Sequence, residues 1–492
     1  MDQPQAILGH QALRLLEGRY SDAVPPLMER AGAAAAQIAV RLLAGSAATP
    51  LILAGPGNNG GDAMVVARLL RQRGLAPQLV FCGDAAKLPA AAAAAHAAWI
   101  ACGGTTVDRL PADPWGLVID GLFGIGLKRP LAGSYAAWVE QVNAAACPVL
   151  ALDAPSGLDA DSGAALGLTL RATHTITFIA LKPGLLTADG PDHCGEISVD
   201  TLGVELGVEL DASAELGHTV TPALFLPALQ PRRRNSHKGS FGSVAIIGGA
   251  PGMAGAALLA ARAALHLGAG RVYLGTLERL TLDPLQPELM LKTPEQALAL
   301  ATCLALGPGL GDSATAEQLL RRGLAAEMPL LLDADALNLL AAHPVLRNQL
   351  ARRAAPTLLT PHPGEAARLL GCNIAEVQAD RVGAARTLAR RHRAAVVLKG
   401  CGSIVALPDC RWFINCSGNP GLATAGSGDV LAGMTAALLA QGVNPEAALL
   451  AAVHLHGAAA DAAVSAGAGP IGLSAGELIQ PARSLLNAWV NA

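Results

Sequence analysis

The sequence predicts an α/β protein made of two parallel-sheet domains in tandem, and three observations carry that expectation. At 492 residues the chain is longer than one hydrophobic core usually serves. From about Pro50 onward, short β-rich apolar runs alternate with longer helical stretches, the pattern of right-handed βαβ units with a sheet buried between helices. Between Glu209 and Asn235 that alternation stops, in a stretch with prolines and an arginine triplet but no sustained period, and it resumes at "SVAIIGGA".

In order, the first series reads "LILAG", the helix "AMVVARLLRQRG", "PQLVFCG", an Ala-rich helix, "LVIDGLFG", another helix and "PVLALDAPSG", closing at "EISVDTLGVEL". The second reads "SVAIIGGA", "RVYLGT", "CLALGPGLG", "PLLLDADAL", "PTLLTPHPGE" and "AVVLKGCGSIVAL", each followed by helix or turn residues. The two series show no repeat of one another. They place a first domain at 1–215, a linker at 216–224 and a second domain at 225–492. Aromatic residues are only 3% of the chain, so close helix packing by alanine must fill the cores.

Composition narrows the function classes. A net charge of -3 offers no basic surface to a nucleic-acid backbone. The N-terminus has no basic segment followed by an apolar core, and stretches such as "VLAGMTAALLAQG" are too short or Gly-rich to span a bilayer, so neither export nor a membrane is expected. Nine scattered cysteines without a Cys-x-x-Cys indicate neither a disulfide framework nor zinc, which points to a reducing, cytoplasmic setting.

The chemistry concentrates in Gly-rich loops. "GPGNNGGD" follows a strand and opens a helix, and Gly55, Gly57 and Gly60 have the spacing of a dinucleotide-binding turn whose amides converge on an anion. No Lys-Ser/Thr closes it as a Walker A, and Asn58, Asn59 and Asp62 add oxygen donors. "VIDGLFGIGLKRPL" puts Asp120 at a strand end, then a loop through Gly124, Ile125, Gly126, Leu127, Lys128, Arg129 and Pro130. "LALDAPSGLDADSG" does the same with Asp153 and Ser156. Because ligands in open α/β sheets bind outside the carboxyl ends of strands, these loops are expected to meet at one crevice. There Asn59, Asp120 and Ser156 could give oxygens to a monovalent cation.

In the second half, "NPGLATAGSGDVLAG" lets Gly426 and Gly428 open a helix whose amides can receive a phosphoryl charge, with Asp429 placed to take a proton from a hydroxyl. "LTPHPGE" sets Glu365 three residues after His362, "VVLKGCGS" and "ALGPGLG" are further Gly loops, and "LLDADALN" another acidic strand end.

"LMERAG", "GPGNNGGD", "DGLFGIGLKRPL" and "DAPSGLDADSG", in that order, resemble the YjeF N-terminal family of NAD(P)H-hydrate epimerases. That resemblance implies a Rossmann-like three-layer fold, a substrate site on Asn58, Asn59, Gly60, Gly61, Asp62, on 124–130 and on Asp153, and potassium on Asn59, Asp120 and Ser156. "HKGSFGSVAIIGG", "GMAGAALLAARAALHLGAGRV", "LLDADALN", "LTPHPGE", "VVLKGCGS" and "AGSGD" are similar to the ribokinase-like ADP-dependent NAD(P)H-hydrate dehydratases. This second resemblance implies adenine-nucleotide binding by Lys399, Gly400, Cys401, Gly402, Ser403 and Gly428. It implies hydrate contacts from Ala256 or Ala257, Gly309 or Gly311, His362 and Asp429, with Glu365 associated with magnesium. The fused order resembles the bifunctional repair family, which implies NADHX and NADPHX as substrates, ADP as co-substrate, Asp153 and Asp429 as catalytic groups, and a homo-oligomer, tetrameric by the family. Two other readings fit less of the chain: an ATP-dependent small-molecule kinase with an accessory domain, and a first domain that only scaffolds or dimerises.

Overall fold

The computed structural model describes residues 3–44, 49–111, 114–206 and 216–491. It divides into two compact units, Gln5–Gly217 and His218–Ala492. Residues 209–215 of the junction anticipated between Glu209 and Asn235, and with them the end of the domain placed at 1–215, lie outside the described residues. The stretch 216–224 includes a short strand, Gly217–Thr219, and a 3₁₀ turn, Pro222–Leu224.

The first unit's sheet has seven strands: β1 (Pro50–Ala54), β2 (Gln78–Phe81), β3 (Thr106–Val107), β4 (Leu117–Gly121), β5 (Val149–Leu152), β6 (His174–Phe178) and β7 (Glu196–Asp200), in the order β3-β2-β1-β4-β5-β6-β7. All pairs are parallel. Alternate residues feed opposite faces. Ile52, Leu79, Ile119 and Leu150 pack into one core, while Leu51, Leu53, Val80, Val118 and Val149 pack into a second. Burial on both faces is why these strands read as continuous apolar runs, and it makes the unit three-layered.

Strand order reverses between β1 and β4, where such sheets open a crevice. The loops leaving these two strands touch closely: a Cβ on Gly55 would lie 1.7 Å from the Leu122 carbonyl oxygen, and one on Gly60 would lie 1.9 Å from the Gly55 carbonyl oxygen. Glycine at both positions therefore answers backbone-to-backbone contact.

The second sheet contains β8 (Gly217–Thr219), β9 (Ser243–Gly248), β10 (Arg271–Thr276), β11 (Met290–Lys292), β12 (Cys303–Leu306), β13 (Leu330–Leu332), β14 (Thr357–Leu359), β15 (Ala395–Leu398), β16 (Ser403–Ala406) and β17 (Trp412–Asn415), in the order β8-β17-β16-β15-β14-β13-β12-β9-β10-β11. It is parallel from β11 to β15, and antiparallel at β15–β16 and β16–β17. Its reversal falls between β9 and β12, where Gly249 N and Ala250 N donate to the carbonyls of Pro308 and Gly309 at 3.0 and 2.6 Å. Helices Ala254–His266 and Ser427–Ala440 pack so tightly that a Cβ on Gly433 would lie 2.1 Å from the Ala260 carbonyl oxygen, which is how a chain poor in aromatics fills this core.

The helical stretch Pro445–Ala468 is long and apolar enough to cross a membrane, although 72% of its most apolar window is buried within the unit. Its hydrophobicity is satisfied by core packing, so it gives no evidence for a membrane span.

Gly55→Ala is expected to cost about 1–3 kcal/mol of stability, the usual penalty for overpacking. Urea unfolding checks this, with Gly57→Ala as a control because a Cβ there meets nothing within 4 Å.

Candidate functional site

In the first unit, the loops after β1, β4 and β5 and the N-terminal helix His10–Arg19 enclose a cavity of about 960 Å³. Asn58, Asn59 and Asp62 line it from the helix Asn58–Gln72; Gly124, Ile125, Gly126, Leu127, Lys128 and Arg129 line it from the loop after β4; Asp153 lines it from the end of β5. Asp153 holds a left-handed backbone at φ 67°, a conformation that survives in a non-glycine residue only when its surroundings impose it. Its amide donates to the Ile176 carbonyl at 2.7 Å, and its carboxylate is ion-paired to Lys182.

Lys182 is 1% exposed and was not among the sequence's candidates. Its ammonium also donates to Thr177 Oγ1 at 2.7 Å and to the Phe178 carbonyl at 3.0 Å, so all three protons are used. The signal was one lysine in the apolar run "TFIALKPGLL". Glu17 also lines the cavity without having been anticipated, and burial, reinforced by Asp153, pushes its carboxyl upward.

Asp120 and Ser156 are fully buried behind the cavity. Asp120 Oδ1 accepts from Ser156 Oγ at 2.7 Å and from Leu122 N at 3.1 Å, and Oδ2 accepts from Ser156 N at 2.8 Å. Burial raises the Asp120 carboxyl to about 6, with the Ser156 bonds opposing. Asn59, whose amide shares the surroundings of Gly124 with Asp153, is 8% exposed, and neither atom of that amide has a partner among the described residues. Buried amides are rarely left so.

The structure redistributes several anticipated contacts. Gly60 and Gly61 do not line the cavity; a Cβ on Gly61 would strike Met28 and Ala92, so both serve close packing. Pro130 is exposed and outside the lining. Lys128 is held by Asp159 and Asp161 at 3.0 and 3.1 Å, which limits its reach.

In the second unit, Asp333 follows β13 and Lys399 follows β15. Lys399 Nζ lies 2.8 Å from Asp333 Oδ1. Asp333 is 2% exposed and was quoted in "LLDADALN" without a role. Gly426, at φ 88°, caps the helix Ser427–Ala440 without a side-chain bond. A Cβ on Gly428 would lie 3.2 Å from Lys399 Nζ, so glycine lets this helix start reach the buried pair. Asp429 follows, its carboxyl raised to about 6 by burial and then by Asp333, with Lys399 opposing.

His362 caps the helix Pro363–Leu370, its Nδ1 accepting from Gly364 N at 2.9 Å, while its own amide donates to Glu365 Oε2 at 2.7 Å. Burial, then Lys399 and Arg368, lower the imidazole, which keeps it neutral. Glu365 is raised to about 7, chiefly by burial. Among the described residues no group of three or more His, Cys, Asp or Glu could cage a metal.

Arg381, 3% exposed, supports the loop Gly400–Ser403 by donating to the carbonyls of Lys399 and Gly402 at 3.3 and 3.4 Å. The Lys399 side chain leaves this loop for Asp333, so among the anticipated nucleotide contacts it lies beside Gly428 and apart from Gly400–Ser403. Ala257 is fully buried in the core, whereas Ala256 is partly exposed and beside Gly309; of that pair only Ala256 can face a ligand. Gly309 and Gly311 both have positive φ, and the Gly311 amide is taken by Asp335 at 2.8 Å.

Residues 25–184 match the model of the YjeF-related protein N-terminus, and residues 244–480 that of NAD(P)H-hydrate dehydratase. The chain is 39% identical over 479 residues to the bifunctional NAD(P)H-hydrate repair enzyme Nnr of Escherichia coli K12, covering 94% of this chain and 89% of that protein. The chain belongs to the bifunctional NAD(P)H-hydrate repair enzyme family. A member from Leishmania braziliensis is 38% identical over 513 residues, covering 94% and 90%. A ribokinase-like superfamily protein from Enterococcus faecalis, solved by crystallography, matches 56% of this chain and 96% of its own with a TM-score of 0.50 and 26% identity. The repair family's fused order is thus present here, with a Rossmann-like unit followed by a ribokinase-like one.

Lys182→Met is expected to destabilise by about 3–5 kcal/mol, the cost of stranding one member of a buried pair. The double variant Lys182→Met, Asp153→Asn should regain much of that loss, read from denaturant unfolding of both proteins.

Proposed function

We propose that the protein repairs hydrated NAD(P)H. Residues 1–215 would interconvert the R and S forms of NADHX and NADPHX, and residues 225–492 would dehydrate the S form to NAD(P)H, converting ADP to AMP and phosphate. The observation that carries the reading is the presence in one chain of two complete sites, the Asp153 cavity and the Asp429–Lys399–Asp333 cluster, each at the carboxyl ends of its own parallel strands. Family membership over nearly the whole chain supports it.

A hydrated nicotinamide bears a hydroxyl on a saturated carbon beside the ring nitrogen, and hydroxide leaves poorly. In the second unit Asp429 would take the hydroxyl proton as its oxygen attacks the terminal phosphoryl group of ADP. The helix start at Gly426–Gly428 would hold the developing charge with its amides, and AMP would leave. The ring nitrogen's lone pair would then expel phosphate, and the resulting iminium would lose a proton from the neighbouring saturated ring carbon to the departing phosphate, which forms the ring double bond of NAD(P)H. Lys399, fixed by Asp333, adds a positive charge beside Gly428. Gly400, Cys401, Gly402 and Ser403 would hold the nucleotide on the Arg381-supported loop, and Ala256, Gly309 or Gly311, and His362 would contact the hydrate. With no protein cage among the described residues, magnesium would be held largely by nucleotide phosphates and water, near Glu365. Only one stereoisomer can aim its hydroxyl at Asp429, hence the value of a fused epimerase. There Asn58, Asn59, Asp62 and the 124–129 loop would seat the substrate, and Asp153 would act as acid or base. Potassium fits the first site because a cation supplies the partner that Asn59 Oδ1 lacks, with Asp120 and Ser156 the other anticipated oxygens. Free cysteines support a cytoplasmic enzyme, and the family a homo-oligomeric one.

With racemic hydrate and excess ADP, nearly all substrate should return to NADH, followed by its absorbance; Asp153→Ala should stall with the R form left over. Full consumption of both isomers by Asp153→Ala overturns the epimerase assignment. Asp429→Asn should slow dehydration by about a hundredfold or more while epimerisation survives. Since the base must be ionised, kcat/KM for dehydration should fall as pH drops below about 6. Replacing potassium with a large organic cation should slow epimerisation, and Asp120→Ala should abolish that dependence; equal rates in both salts return these three residues to a structural role.

A further inference from the structure

The first unit's cavity contains a carboxyl group that substrate contact alone does not account for. Asp62 lines it from one turn inside the helix Asn58–Gln72. No hydrogen bond or ion pair reaches this carboxyl among the described residues, while Asp153 in the same cavity is clasped by Lys182. Of two carboxyls in one cavity, one is held by an ammonium and one meets no cation, and such unlike surroundings are what separates an acid from a base. We propose that Asp62 is the general acid of epimerisation, with Asp153 as its general base; this rests on the epimerase reading of the first unit.

The groups facing Asp62 agree. Burial raises its carboxyl well above the ordinary range, Asp153 from the end of β5 and Glu17 from the N-terminal helix add to that, and only Lys182 from beyond β6 opposes. These surroundings favour the protonated form of Asp62. In the step proposed, Asp153 removes the hydroxyl proton, the O–H electrons form a carbonyl, and the bond between that carbon and the ring nitrogen breaks. The nitrogen takes the Asp62 proton. Rotation of the aldehyde carbon presents its other face, the nitrogen adds back and returns its proton to Asp62, and Asp153 returns the other to oxygen. The product is the opposite isomer, and no atom is gained or lost.

The test is conversion of pure R-NADHX to the S form by full-length protein, followed by chromatography, with ADP-dependent dehydration of pure S-NADHX by the same preparation as a control for folding. Asp62→Asn should lower kcat for epimerisation by about a hundredfold or more with KM little changed, and dehydration should be retained. Asp62→Glu, which keeps a transferable proton, should recover part of the rate. The wild-type rate should fall as pH rises and Asp62 loses its proton, and the residual rate of Asp62→Asn should lack that fall. An Asp62→Asn rate within a few-fold of wild type, a loss confined to KM, or a high-pH fall that persists in the variant overturns the proposal. A wild-type protein that neither epimerises nor dehydrates would instead overturn the functional reading itself.

Discussion

Each unit holds a lysine against an aspartate at the carboxyl end of a parallel strand, Lys182 almost out of water on Asp153 and Lys399, its side chain 21% exposed, on Asp333. Removing an ammonium from water costs several kcal/mol, so it remains charged in such a place only with an anion and further acceptors in contact. The sites are organised around that requirement. Lys182 meets it with Asp153, Thr177 and a backbone carbonyl, and this in turn supports the unfavourable backbone of Asp153. Lys399 meets it with Asp333, and its positive charge adds to burial in lowering the His362 imidazole while opposing the upward shift of Glu365 and Asp429.

Close backbone approach is the second constraint. At each strand-order reversal, glycine-rich loops from two strands lie against one another, Gly55 on Leu122 and Gly248 on Pro308. This contact brings polar loops from different strands into one crevice. Several glycines that look like anion-cradling residues therefore act by having no side chain. Gly60 and Gly61 sit behind the cavity wall, and only Gly57 of that loop faces open space and lines the cavity.

The two α/β units were legible because strands buried on both faces must be continuously apolar, and helices between them must restart a longer period; "LILAG" and "LVIDG" are strands for that reason. Asp120, Asp153 and Asp429 stood out only through the motifs around them, since a carboxyl at a strand end or helix start, taken singly, reads equally well as a turn or cap residue. Lys182 was not legible, since a lone lysine after an apolar run reads as the end of a strand. Asp333 carried the same ambiguity as any aspartate at a helix N-terminus.

By itself the sequence determined the fold class, the motif order and the loops that hold the chemistry, because these depend on local period and on residues close together in the chain. The tertiary structure alone decided which side chains meet. Lys182 reaches Asp153 from beyond the neighbouring strand, Lys399 reaches Asp333 across two strand positions, and Ala256 faces outward while Ala257 is buried. Contacts of this kind are set by sheet register and helix rotation, which exist only once distant segments have packed against one another.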